Sequence, residues 1–353
     1  MSAPVAPRGF TEAAVTELIE RRDEPEWMRE RRRAAWTIYQ QLPMPSRTDE
    51  EWRRTDIGRL RLDQLPPYSP EGAANETLRP SAEREEAYGG FLGLRNGQPV
   101  ETHLSPELRS KGVILTDLAT AVREHGDLVR EHFMTRCVPP GDSKFAALHG
   151  AIWNTGTFLD VPRGVIVTEP LRTVLAADVG RGSSLAHTLI VLEPGAQVTY
   201  AEDFVSPDAD AIGLSTRVVE LILKRDAVLH YAGVQRWGRS VYDFHTERAL
   251  LERDTSVTLQ TIELGSRLSK GRVESILNGS GASAKLLGLY IEDGRQHLDR
   301  YTLQDHRAPN GTSDLLFKGV LADTARSVFS GLIRVTPEGT GTAAYQQNRN
   351  LLL

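Results

Sequence analysis

A single cysteine, Cys137, stands among 353 residues. That excludes an internal disulfide framework, a four-cysteine zinc site and a self-contained four-thiolate iron–sulfur site. Lysine is nearly as scarce, with 6 of the 42 basic residues, the other 36 being arginine; this reads as codon bias rather than chemistry. No apolar run approaches the roughly 18 residues a membrane helix needs. The opening MSAPVAPRGFTEAAV lacks the basic-then-apolar pattern of a secretory signal. The chain therefore reads as soluble and cytoplasmic, and the Asn-x-Ser/Thr matches at Asn75, Asn278 and Asn310 as accidental. Positive charge is not in excess: 47 acidic residues leave a net charge of -5, which argues against an electrostatic nucleic-acid binder. There is no Gly-x4-Gly-Lys-Ser/Thr loop, Gly-x-Ser-x-Gly elbow or His-Glu-x-x-His helix. Gly339-Thr340-Gly341-Thr342-Ala343-Ala344 mimics a dinucleotide fingerprint, but too few residues follow for the crossover helix.

What the chain does have is 40% hydrophobic residues, enough to bury a core. Residues 1–140 read as mainly helical. Thr11 can cap a segment with Val15, Leu18 and Ile19 at helical spacing. Asp23 and Pro25 open a second, with Trp27, Ala34, Ala35, Ile38 and Leu42 on one side. Its basic run, Arg29 to Arg33, is read as a solvated face, because residues 1–60 hold eleven arginines and eleven acids. Trp27 and Trp52 are read as structural anchors. A Pro/Gly-rich linker or long surface loop is expected near 65–80, and another helical pattern over Asp117 to Phe133.

Residues 141–353 change character, with short runs of β-branched and apolar residues punctuated by Gly and Asp. LEPGAQVTY, LKRDAVLHY, LERDTSVTL and LNGSGASAKL begin at Leu192, Leu223, Leu251 and Leu277, spaced by 31 (223−192), 28 (251−223) and 26 (277−251) residues. LADTARSVF at Leu321 is out of phase, while VTPEGTGTAAY at Val335 lies 58 residues (335−277) after Leu277, two steps of 29. Such a period suits the coil of a β-solenoid, whose turns bury one another's apolar edges. An antiparallel sandwich or cupin-like barrel uses the same turn residues, and spacing alone leaves both open.

Metal-ligating residue types come closest together in GRQHLDRYTLQDHRAP, where His297, Asp299 and His306 could suit zinc or ferrous iron. Along a strand His297 and Asp299 share a face, whereas His306 has the opposite parity. A metal-dependent cupin-like enzyme is therefore the competing functional reading, although a hydrogen-bonded structural role suits these residues better. His187, His230 and His245 stand singly in β-like runs and read as structural. No catalytic residue, cofactor-binding residue or firm metal ligand is assigned.

Longer strings carry a resemblance. EPEWMRERRRAAW from Glu24, DEEWRRTDIGRLRLD from Asp49, KFAALHGAIWNTGTFLDVPRGV from Lys144 and HTLIVLEPGAQVTY from His187 open it. QRWGRSVYDFHTERA from Gln235, GSRLSKGRVE from Gly265, the long run from Gly294 to Val335 and AYQQNRNLLL from Ala344 continue it. Over nearly its whole length the chain resembles the SufB/SufD family of iron–sulfur cluster assembly scaffolds, and the SufD branch more than SufB. The resemblance implies a mainly β protein: a right-handed parallel β-helix core with an amino-terminal α-helical region. It implies a heteromeric cytoplasmic complex with a SufB-like paralogue and SufC-like ABC-type ATPases that supply the ATP hydrolysis, with SufD associated with iron acquisition. A homodimer is expected in isolation; nucleic acid and membrane are not expected partners. No cofactor is expected to stay bound to this chain alone, iron and iron–sulfur cluster passing through the complex transiently. Family members continue past Asn-Leu-Leu-Leu into an Asp-Asp-Val-x-Cys-x-His-Gly-Ala-Thr pattern and carboxy-terminal helices. Both are absent before Leu353, so no position here inherits the cluster-site histidine or the ATPase-docking role.

Overall fold

The computed structural model describes residues 9–68, 88–178, 182–206 and 212–353. Most of the passage expected as a linker, from residue 69 onward, and Asn75 lie outside the described residues. Helix α1 (Glu12–Arg21) is capped by the Thr11 hydroxyl and buries Val15, Leu18 and Ile19 as the spacing predicts. Helix α2 (Glu26–Gln41) follows Pro25 and buries Met28, Arg32, Ala35 and Trp36. Its buried face is therefore rotated from the expected one: Ala34 is exposed, and Arg32, read as part of a solvated run, is fully buried. Burial is tolerated because Arg32 Nε and Nη2 each donate to the Glu24 carboxylate at 2.7 Å. Its Nη1 donates to the carbonyls of Ala151 and Trp153, so the charge is paired and every arm is used.

The first 140 residues are not helical throughout. Strands β1 (Gly90–Arg95) and β2 (Gln98–Leu104) form an antiparallel pair, followed by α3 (Pro106–Ser110) and β3 (Ile114–Asp117). The pattern read as one helix over Asp117 to Phe133 is two: α4 (Leu118–Glu124), capped by the Asp117 carboxylate, and α5 (Gly126–His132). Helix α6 (Lys144–Ile152), capped by Ser143, lies beyond residue 141 and packs against α2.

Among the described residues, fourteen strands then alternate between two sheets. They are β4 (Thr155–Val161), β5 (Leu171–Ala176), β6 (Ser184–Leu192), β7 (Gln197–Val205), β8 (Gly213–Leu223), β9 (Val228–Arg236) and β10 (Val241–Leu251). The rest are β11 (Ser256–Glu263), β12 (Leu268–Leu277), β13 (Ser283–Glu292), β14 (His297–His306), β15 (Thr312–Leu321), β16 (Arg326–Val335) and β17 (Ala343–Leu352). From β4 on, even-numbered strands stack in one sheet and odd-numbered strands in the other, each pairing in parallel with the strand two later. Two strands make one coil, giving a parallel β-solenoid of about seven turns. The parallel registers exclude the antiparallel sandwich and the cupin-like barrel.

The repeat now has a physical meaning. Leu192, Leu223, Leu251 and Leu277 are direct register partners at one corner of successive coils. The column continues through His306 to Val335, which accounts for the double step of 29. Leu321 ends β15 in the other sheet, so its turn belongs to the opposite corner. Asp226, Asp254, Asn310 and Asp323 turn the chain with φ of 62°, 56°, 59° and 59°, a left-handed conformation that Asp and Asn tolerate better than most side chains. The outer face of the even sheet is covered by the helical region: Leu189, Leu214, Val218 and Phe244 join one apolar cluster with Phe133, Phe145 and Trp153. On the outer face of the odd sheet Leu289 and Ile291 are exposed.

Candidate functional site in the solenoid lumen

The lumen is split lengthwise. At the leucine corner it is apolar, while the half where odd strands turn into even strands carries charge. Alternation points Arg217 on β8 and Asp243, His245 and Glu247 on β10 into the lumen, together with Ser269 on β12 and Arg300 on β14. Thr261 and Glu263 on β11 meet them from the odd sheet. Arg217, His245, Gly271 and Arg300 occupy one register column, so the cluster is built by stacking rather than by one local motif.

Hydrogen bonds fix its geometry. Asp243 Oδ2 accepts from Arg217 Nη2 at 2.9 Å and lies 2.9 Å from His245 Nδ1, which Arg217 Nη2 also approaches at 2.9 Å. Glu247 Oε1 accepts from Arg217 Nη1 at 3.2 Å and Oε2 from Thr261 Oγ1 at 2.5 Å. Glu263 Oε2 is paired with Arg300 Nη2, which also donates to Ser269 Oγ at 3.2 Å. Burial opposes ionisation of Asp243, but Arg217 outweighs it and holds the carboxyl below its usual range. Burial, reinforced by Arg217 and Arg300, holds the His245 imidazole well below its usual value and hence neutral. Burial, with Arg217 alongside, lowers Arg300 to about 9. Next along the lumen, Glu202 accepts from Tyr231, Tyr200 and Thr188 hydroxyls at 2.5, 3.2 and 2.8 Å, and burial raises it to about 7.

The residues read from sequence as metal candidates are not gathered into one site. His297 and Asp299 share the outer face of β14, where both contact the Thr55 hydroxyl and Asp299 pairs with Lys270 at 2.8 Å. His306 points the other way and contacts Ser313 Oγ at 2.8 Å. Among the described residues the carboxylate and imidazole groups that could jointly hold an ion are Asp243, His245 and Glu263. The Asp-x-His spacing on one strand was the available signal; Glu263 was invisible because its closeness depends on the coil length. His187, also read as lone, forms a buried chain from Thr216 through His149 (3.0 Å) to His187 (3.1 Å) and on to Glu220 (3.1 Å). Outside the solenoid, a cleft of ≈ 450 Å³ is lined by Trp52, Phe145, Phe244, Lys270, Arg272 and Tyr301. There Trp52 packs 5.8 Å from Phe145 and 5.9 Å from Phe244.

Glu292, at the end of β13, is 3% exposed and neither carboxyl oxygen has a hydrogen-bond partner among the described residues. Burial raises it to about 8 from an ordinary 4.5. A raised acid contributes stability that is fully present below its unfolded value and lost as pH climbs through the folded one. Glu292→Gln should therefore flatten the decline in thermal midpoint between pH 4.5 and pH 8. Superimposable pH curves for the two proteins would contradict this.

A charged lumen inside a stacked parallel solenoid defines the molecule as a repeat protein rather than a closed barrel. Residues 174–353 match the family model described as SUF system FeS cluster assembly, SufBD core domain. The chain belongs to the SufBD family. It is similar to the iron–sulfur cluster assembly SufBD family protein of Staphylococcus epidermidis, at 28% identity over 98% of this chain and 76% of the relative. A SufBD family protein of Staphylococcus aureus is 27% identical over 98% of this chain and 76% of its own length. The iron–sulfur cluster assembly protein SufB of Bacillus subtilis is 27% identical, covering 95% and 74%. No helix among the described residues is long and apolar enough to cross a membrane.

Proposed function

We propose that this chain is a non-catalytic, SufD-like scaffold subunit of a cytoplasmic iron–sulfur assembly complex. It pairs with a SufB-like paralogue and with SufC-like ATPases that supply the energy, and it aids iron acquisition. Iron and nascent cluster are cargo of that complex rather than resident cofactors. The family match across the solenoid turns carries the reading.

The test is genetic. Cells depleted of this protein should lose the activity of iron–sulfur enzymes while the corresponding apoproteins persist, and re-expression should restore it. Full cluster occupancy in depleted cells would refute the assignment.

A further inference from the structure

The His245 imidazole presents an unusual pair of edges. Its Nδ1 lies 2.9 Å from both Asp243 Oδ2 and Arg217 Nη2; in the tautomer that donates from Nδ1 to Asp243, the lone pair stands on Nε2. That nitrogen is buried and has no hydrogen-bond partner among the described residues. The nearest acidic atom is Glu263 Oε1, at 3.5 Å. Two lone-pair donors face each other there, at a separation too long for a shared proton. Two ligands of one tetrahedral or octahedral ion, each about 2.0–2.2 Å from it, stand roughly 3–3.5 Å apart. A carboxylate behind Nδ1 is also the usual outer partner of a metal-ligating histidine, because it fixes the tautomer and aims Nε2.

Gly271 keeps that edge open. It is the register neighbour of both His245 and Arg300. A Cβ at this position would stand 2.0 Å from His245 Nε2, with Arg300 Nη1 almost as close. The charges facing the imidazole are Asp243, Glu247 and Glu263 against Arg217 and Arg300, a net of one negative charge for the set. Arg217 Nη2 approaches Nδ1 at 2.9 Å and Glu263 Oε1 at 3.4 Å, and Ser269 Oγ lies 3.4 Å from the same oxygen.

We propose that His245 and Glu263, with Asp243 behind the imidazole, form a site for one first-row divalent metal ion of the zinc or ferrous type in the solenoid lumen. Imidazole with carboxylate suits these ions better than calcium or magnesium, which favour all-oxygen shells. The ion takes Nε2 and Glu263 Oε1, while Arg300 keeps its hold on Oε2 and swings its other arm aside. Arg300 therefore competes with the metal, so removing its charge should tighten binding.

The experiment uses the purified full chain, stripped with chelator and dialysed against zinc chloride alone. One zinc per chain is expected, with an anomalous-scattering peak about 2.0–2.2 Å from His245 Nε2 in crystals of the loaded protein. Glu263→Gln should weaken binding by at least about tenfold, Gly271→Ala should block it, and Arg300→Met should strengthen it (tenfold being ~1.4 kcal/mol). Absence of stoichiometric zinc from the wild-type chain, or a peak away from His245, overturns the proposal whether or not the variants fold. Unchanged affinity in a folded Glu263→Gln protein does so as well. Because the readout is metal on the isolated chain, its failure leaves the scaffold assignment to its own test.

Discussion

Arg217→Met should lower the stability of the chain by about 3–5 kcal/mol, the range for removing one partner of a buried charge network. Arg217 is 1% exposed and contacts Asp243, Glu247 and Glu263, all buried. Without it three carboxylates share the lumen with only Arg300, and the Asp243 carboxyl, held down chiefly by Arg217 against its burial, rises. A raised carboxylate loses its stability contribution as pH increases, and the variant should be worst at neutral to alkaline pH and partly recover on acidification. Thermal melts followed by circular dichroism check this, with a midpoint roughly 10 °C below the parent near neutrality. A midpoint within a degree or so of the parent would show that the cluster is not a coupled network.

The second large effect lies in the helical region. Glu24→Ala should lower stability by about 3–5 kcal/mol, the range for leaving one charge of a buried pair without its partner. Arg32 is fully buried and its Nε and Nη2 both donate to the Glu24 carboxylate at 2.7 Å, so the substitution leaves the guanidinium without its paired carboxylate. Calorimetry measures the loss as a lowered melting midpoint. A midpoint unchanged by the substitution would show that the buried pair does not stabilise the packing of α2.

Much of this molecule can be read from its sequence because a solenoid writes its period into the chain. The leucines at 192, 223, 251 and 277 mark one corner in strict register, and the Asp and Asn turns mark the bends. Handedness of pairing is not written there: Gly and Asp turns serve hairpins equally well, and only the long family-like strings distinguished coil from barrel. The helical region was legible where an amphipathic stripe is simple, as in α1. It was misread in α2, since an arginine can face inward when Glu24 meets it. Strands β1 and β2 escaped notice because they are short and lie next to residues 69–87.

The lumen cluster was the least legible part. Asp243, His245, Glu263 and Arg300 lie on three strands, β10, β11 and β14, and nothing in a linear string says which residues a 26- to 31-residue period will stack. His297, Asp299 and His306 looked better for a metal because they are close in sequence, but strand parity separates them across the sheet. Spacing in a solenoid has to be counted in coils, not in residues.

Native mass spectrometry of the chain co-expressed with a SufB-like paralogue and a SufC-like ATPase tests the central claim most directly. The account predicts one defined heteromeric mass containing this chain, able to acquire an iron–sulfur cluster when supplied with iron and sulfide. A chain that stays free of both partners while they assemble with each other and mature clusters without it would contradict the account.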